Sequence, residues 1–143
     1  MTNMKQILSN HRRWFHSQGH EGQKAELEEA SLQRADLEGA TLVEANLQGA
    51  DLYQANLRRA DLRGANLQDA NLNQAQLQNA NLEETDLMWA DLKGANIEGA
   101  NLNGTYLQGT DLSSVLGMSP SQLDRAVIDE NTLLPPSVSG RYN

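Results

Sequence analysis

The chain has 143 residues, enough for one domain and short for two, and no Pro/Gly/Ser-rich linker divides it. Its 19 Asp and Glu against 11 Lys and Arg give a formal net charge of −8, which speaks against nucleic acid as a partner and for a basic protein surface or a site that ordinarily receives DNA. Cysteine is absent, which removes disulfides, thiol catalysis and cysteine-based zinc sites, and aromatics at 4% are too few for an ordinary mixed core.

The first segment, 1–24, carries Lys5, Arg12, Arg13 and three histidines but no apolar leader, and no stretch of the sequence is apolar for long enough to span a bilayer. The expected location is the cytoplasm, with no membrane contact. Met4, Ile7, Leu8, His11, Trp14 and Phe15 recur at helical spacing, so residues 4–16 are predicted to form a short amphipathic helix. His11, His16 and His20 do not share a helix face as metal ligands would, and no carboxylate pair completes a set. They are expected to be solvated cap residues, with Trp14 and Phe15 packing at the end of whatever follows.

From 25 to 114 one pattern repeats every five residues. Its centres are Leu27, Leu32, Leu37, Leu42, Leu47, Leu52, Leu57, Leu62, Leu67, Leu72, Leu77, Leu82, Leu87, Leu92, Ile97, Leu102, Leu107 and Leu112. Two residues before each centre stands Ala, replaced by Thr at Thr85, Thr105 and Thr110; the residue just before the centre is usually Asp or Asn. The two residues after it are free in type and mostly polar. A period of five fits neither a helix, on which successive leucines would drift around the axis, nor a flat strand, on which they would alternate faces. The chain must therefore turn a corner every five residues, so that each Leu and each Ala points to a common axis. Burial of each Leu contributes roughly 2 kcal/mol, and the neighbouring Ala column has no room for anything larger. Asp and Asn before the centres suit the turns, because their side chains bond nearby backbone.

The pattern, as in "ANLQGADLYQANLRRADLRGANLQDANL", resembles that of the pentapeptide-repeat family. The resemblance implies an all-β fold: a right-handed quadrilateral parallel β-helix with four repeats per coil, about four and a half coils in all, and a rod roughly 20 Å long. A solenoid's ends need covers, so a helical cap is expected at 1–24 and a cap made of a short helix and an extended segment at 115–143.

In the last segment, Ser119, Pro120 and Gln122 have the form of a helix start, with Leu123, Ala126 and Val127 facing the last coil. Asn131 to Pro136 is expected to run extended, with Leu133 and Leu134 sealing the end or making a dimer contact. The flanks "HRRW…GQKAEL" and "QLDRA…DENTLLP" are also similar to those found around such repeats. Members of the family that target gyrase dimerise through this region, which leaves both a monomer and a homodimer through the C-terminal segment open here.

No nucleophile elbow, phosphate loop or calcium-binding nonapeptide occurs in the sequence, so no catalytic residue, cofactor or metal is expected. What remains is surface. At twenty residues per coil, Leu27, Leu47, Leu67, Leu87 and Leu107 share a side whose charged residues are Glu26, Glu28, Glu29, Asp69 and Asp86, with no basic residue. On other sides Glu38 is expected beside Arg58, and Arg63 beside Glu83. Met88, Trp89 and Tyr106 project from the acidic side and form, with Asp69 and Asp86, a candidate protein contact; alternatively, Trp89 lies flat over Gly109 in the next coil. The expected function is a non-enzymatic protein-binding or scaffolding module with an unidentified protein partner. The alternative comes from the resemblance: some members mimic B-DNA and occupy the DNA site of DNA gyrase or topoisomerase IV. The acidic balance suits that role, while Arg58, Arg59 and Arg63 interrupt the charge.

Overall fold

The computed structural model describes residues 3–140. The first two residues of the flank expected at 1–24 and the last three of that expected at 115–143 lie outside the described residues. Parallel bridges pair each residue before a centre with the one twenty positions on: Glu26 with Asn46, Asn46 with Asn66, Asn66 with Asp86, and Asp86 with Tyr106. Equivalent columns begin at Ser31, Asp36 and Thr41. Columns five residues apart that close after twenty make a four-sided parallel solenoid.

One repeat shows how the backbone is satisfied. The Ala45 N–H closes the preceding corner on the Leu42 carbonyl, Asn46 N–H bonds Ala25 in the coil below, and Leu47 and Gly49 N–H bond Asn66 and Gln68 in the coil above. The Gln48 N–H has no coil to reach, and the Asn46 side chain accepts it at 3.2 Å. The same bond recurs at Asp51, Asn66, Asp86 and Asn101 among others, which is why Asp and Asn precede the centres. Each backbone N–H of that repeat is thus paired.

The second corner residue is constrained, not free as the sequence suggests. It adopts positive φ in nearly every repeat, as the third residue of a type II turn that the N–H three residues past the centre closes on the centre's carbonyl; at Ser114 the same bond forms without it. Glycine fills some of these corners, but Glu29, Arg34, Glu44, Gln54, Arg59, Asp69, Gln74, Asn79, Glu84 and Trp89 fill the others at φ between 55° and 62°. Left-handed backbone costs such residues about 1 kcal/mol each.

All the Leu and Ile centres are buried, as is the small column except Ala30 and Ala35, which are half-buried. Thr85, Thr105 and Thr110 fit among the alanines because their hydroxyls donate to the Leu62, Leu82 and Leu87 carbonyls at 2.7, 2.7 and 2.9 Å.

At the N-terminal end, helix α1 (Met4–His16) starts from an Asn3 N-cap, whose side chain accepts from Gln6 N–H while Gln6 reaches back to Asn3 N–H. Met4, Ile7 and Leu8 pack on the core. Trp14 and Phe15 are half-buried, and His16 and His20 are exposed, but His11 departs from the expectation of a solvated residue: it is fully buried.

The C-terminal segment is more than a cover. Helix α2 (Pro120–Leu123) begins at Ser119, whose N–H bonds Gln122 Oε1 at 2.7 Å, and Leu123 is buried. The chain then rejoins the coil, Val127 bridging Tyr106 and Leu133 bridging Asp111, and ends in helix α3 (Pro136–Ser139), which the sequence does not signal. Val127 is therefore a lateral rung and 38% exposed, not a residue facing inward. Leu133 is likewise exposed, while Leu134, Ala126 and Val138 pack against the core. The side chains of Gln122 and Thr132 stand in for a further coil by donating to the Ile97, Ala100 and Leu107 carbonyls.

Two stability outcomes follow from the corner and the column. Ala60→Leu, at a fully buried position, should lower stability by about 3 kcal/mol or prevent folding, whereas Arg59→Leu, exposed beside it, should change little; thermal unfolding followed by circular dichroism compares them. Glu84→Gly, at φ 56°, should raise stability by up to about 1 kcal/mol, since glycine removes the left-handed strain and gives back part of the gain as chain entropy.

Candidate protein-contact face

The side of Leu47, Leu67, Leu87 and Leu107 brings the sequence-derived contact residues together. Asp86 sits in the bridge column, its Oδ1 accepting the Met88 N–H at 3.0 Å and its Oδ2 accepting from Gln68 Nε2. Met88 is half-buried in the corner, and the neighbouring Asp69 is exposed, its N–H bonded to the Met88 carbonyl at 3.1 Å. Trp89 follows at φ 62° with its N–H on the Gln108 carbonyl, and is 59% exposed. Tyr106, 41% exposed, continues the column of Asp86.

The indole of Trp89 lies over Gly109. A Cβ at Gly109 would stand 2.4 Å from ring carbons, and its φ of 72° also favours glycine. One face of the ring thus rests on Gly109, while much of its surface remains open.

The structure adds residues that strict periodicity hides. Val127 extends the Tyr106 column by one rung, and Asp129 accepts the Gly109 N–H at 3.1 Å. Desolvation raises the pKa of the exposed Asp129, but hydrogen bonds from Gly109, Asn131 and Thr132 outweigh this and hold it below the usual carboxylate range. Its spacing from Gly109 is still twenty, yet the rung before it has slipped to twenty-one, so counting centres stops short of it.

Charge pairing on the other sides differs from the stacked pairs expected. Glu38 pairs with Arg59, not Arg58, and hydrogen bonds from Arg59 and Asn56 lower its pKa, with Arg58 a lesser influence. Arg63 pairs with Asp61 in its own repeat at 2.7 Å, which raises the guanidinium pKa, and Glu83 contributes only at longer range. Such exposed pairs add little stability. Among the described residues no three His, Asp or Glu gather as metal ligands, and no helix is long and apolar enough to cross a membrane.

The fold and this face define a repeat solenoid whose chemistry lies on its outer surface. The family described as Pentapeptide repeats matches in eight copies across residues 23–59, 55–94 and 90–115, more than half of the chain, and the protein belongs to that family. Its solved relatives form right-handed β-helices. The chain is similar to the pentapeptide repeat protein Rfr23 from the cyanobacterium Cyanothece 51142, with 27% identity, 90% of this chain and 99% of that one covered, and a TM-score of 0.70. It is similar to a pentapeptide repeat protein of Nostoc PCC 7120, at 29% identity, 88% and 93% coverage and a TM-score of 0.63. A thylakoid-lumen pentapeptide repeat protein of Arabidopsis thaliana shares 32% identity over 59% of this chain and 62% of its own, with a TM-score of 0.52. No curated protein matches the sequence.

The Trp89–Gly109 contact is testable by a double-mutant cycle. Trp89→Ala alone should leave thermal stability nearly unchanged, and Gly109→Ala alone should lower it by about 2 kcal/mol through strain and collision with the ring. Gly109→Ala placed in the Trp89→Ala background should cost about 1 kcal/mol less. Equal costs in the two backgrounds would show that the ring does not rest there.

Proposed function

We propose that this protein is a non-enzymatic, cytoplasmic protein-binding module: a rigid rod of about four and a half coils, closed at both ends, that presents the side of Met88, Trp89 and Tyr106 with Asp69 and Asp86 to a basic protein surface. The observation that carries this reading is Trp89. A bulky aromatic residue at φ 62° is strained, and at 59% exposure most of its ring contributes nothing to folding. Glycine, which occupies the equivalent corner in the coil above, would carry none of that strain. Retaining Trp at a position where it does not favour folding is what a contact residue would do, since aromatic anchors dominate protein interfaces. The surrounding carboxylates of Glu26, Glu28, Glu29, Asp69, Asp86 and Asp129 give that surface one sign of charge, which favours a partner of the opposite sign.

The test is an affinity pull-down from bacterial lysate at moderate salt, comparing the native chain with Trp89→Ala and identifying retained proteins by mass spectrometry. The expected result is a basic protein held by the native chain and lost with Trp89→Ala at unchanged melting temperature. Retention of the same proteins by both chains would remove Trp89 from the contact. Specific recovery of DNA gyrase or topoisomerase IV would instead mark the protein as a DNA mimic.

A further inference from the structure

His11 is an ionisable group that neither the coil nor the contact face accounts for. It lies fully buried between α1 and the first coil. Its Nδ1 accepts the Ala25 N–H at 2.9 Å, the polar bond that joins the helix to the first repeat. Because Nδ1 accepts, the neutral ring carries its proton on Nε2. Nε2 faces the Val43 carbonyl, yet the geometry falls short of a hydrogen bond, and no other partner reaches it. The charged groups acting on the ring are Lys24, in the chain leading into the coil, and Glu44, in the first coil. Trp14 packs alongside, its ring centroid 5.3 Å away. Beside Ala25 a hollow of about 240 Å³, lined by Ile7, Asn10, Gln23, Lys24 and Glu26 as well as Ala25, gives water a route towards the Ala25–His11 bond.

A proton added to this ring must go to Nδ1, the atom that holds Ala25. The acceptor becomes a donor, two N–H groups point at each other, and a cation is left buried beside Lys24. We propose that His11 is a proton-operated latch: its protonation releases α1 from the first coil and uncovers the apolar mouth of the solenoid at Leu27, Leu32 and Leu37, while the central coils stay folded.

Burial lowers the His11 pKa from its ordinary value of 6.5; the Val43 carbonyl opposes this, Lys24 adds to it and Glu44 opposes it. The docked state therefore binds the proton more weakly than the released state. The latch is fully closed above pH 6.5 and weakens as pH falls from there towards the lowered pKa of the docked ring. Within that window the ratio of open to closed rises about tenfold per pH unit, and below it the ratio is level.

The experiment uses the full chain with Trp89→Phe, which leaves Trp14 as the single tryptophan. Trp14 emission and binding of an apolar dye are followed from about pH 8 to about pH 5. Hydrogen exchange is read at the Ala25 amide and at amides of the central coils. The expected result is a transition below pH 6.5 in which Trp14 emission shifts, dye binds and Ala25 loses protection while the central amides keep theirs. His11→Gln, which keeps an acceptor and cannot titrate in this range, should abolish the pH dependence. Ala25 exchange in the native-histidine chain stands as the readout even where the variant fails to dock. A flat Trp14 signal with Ala25 still protected, a transition that persists in His11→Gln, or simultaneous loss of protection in the central coils would each overturn the latch.

Discussion

Each corner closes when the N–H three residues beyond a centre bonds that centre's carbonyl, as Ala50 does on Leu47 at 3.0 Å. That single bond turns the chain through about a right angle every five residues, and the register of twenty, the inward set of every Leu and the ladders between coils depend on it. In nearly every repeat the corner is closed with positive φ at its second residue, so the fold carries strain at regular intervals. The strain is tolerated because the corner residue's own N–H is held by the coil above and the centre beneath it is buried. Local cost and long-range gain recur in the same five residues, which lets the coil propagate for as long as the pattern lasts.

Ends are where such a fold needs other means. A coil satisfies its backbone only if another coil lies on each side, and a terminal coil lacks one. Here side chains take over: His11 accepts the Ala25 N–H, which has no preceding centre to close on, and at the other end Gln122 donates to the Ala100 carbonyl, which a further coil would otherwise bond, while it and Thr132 also donate to the Ile97 and Leu107 carbonyls. These residues occupy opposite termini of the sequence and different local structures, yet they solve the same problem. The choice of histidine at the first position makes that solution depend on protonation; the amide and hydroxyl at the other end do not titrate.

The extent to which this molecule is legible from sequence tracks the period. Between Leu27 and Leu112 the small residue, the polar residue and the leucine are each fixed by a packing or bonding requirement, and their roles can be assigned by position. The corner was harder to see, because Glu, Arg, Gln and Trp conceal a left-handed backbone that glycine alone would advertise. Beyond Leu112 the register slips, with Val127 pairing to Tyr106 and Leu133 to Asp111, and no count by five finds those rungs. The candidate contact is visible as Trp89 and Tyr106 on an acidic side, but Val127 joins that side only through the slip, and Asp129 lies beyond the last centre. His11 was misplaced for a different reason: its helical position was right, but a histidine in an amphipathic pattern does not reveal whether its ring points to water or under the helix.

Trp89 and His11 bear on function for the same physical reason. Nearly every other residue in the coil can be explained by what it contributes to folding: leucine fills, alanine makes room, Asp and Asn cap the corner amide, and the exposed charges keep the rod soluble. Trp89 strains the backbone and leaves most of its ring in water. His11 puts an ionisable group in a buried site where an amide side chain would keep an acceptor at every pH. Glu29 and Asp69 share the left-handed corner of Trp89, so what sets Trp89 apart from its equivalents in neighbouring coils is the large exposed ring and not the backbone. The comparison between coils thus acts as an internal control that an irregular fold does not offer. For Trp89 that control is Gly109, one coil above: the same corner with the same backbone, and a side chain that removes the strain and also removes the exposed ring.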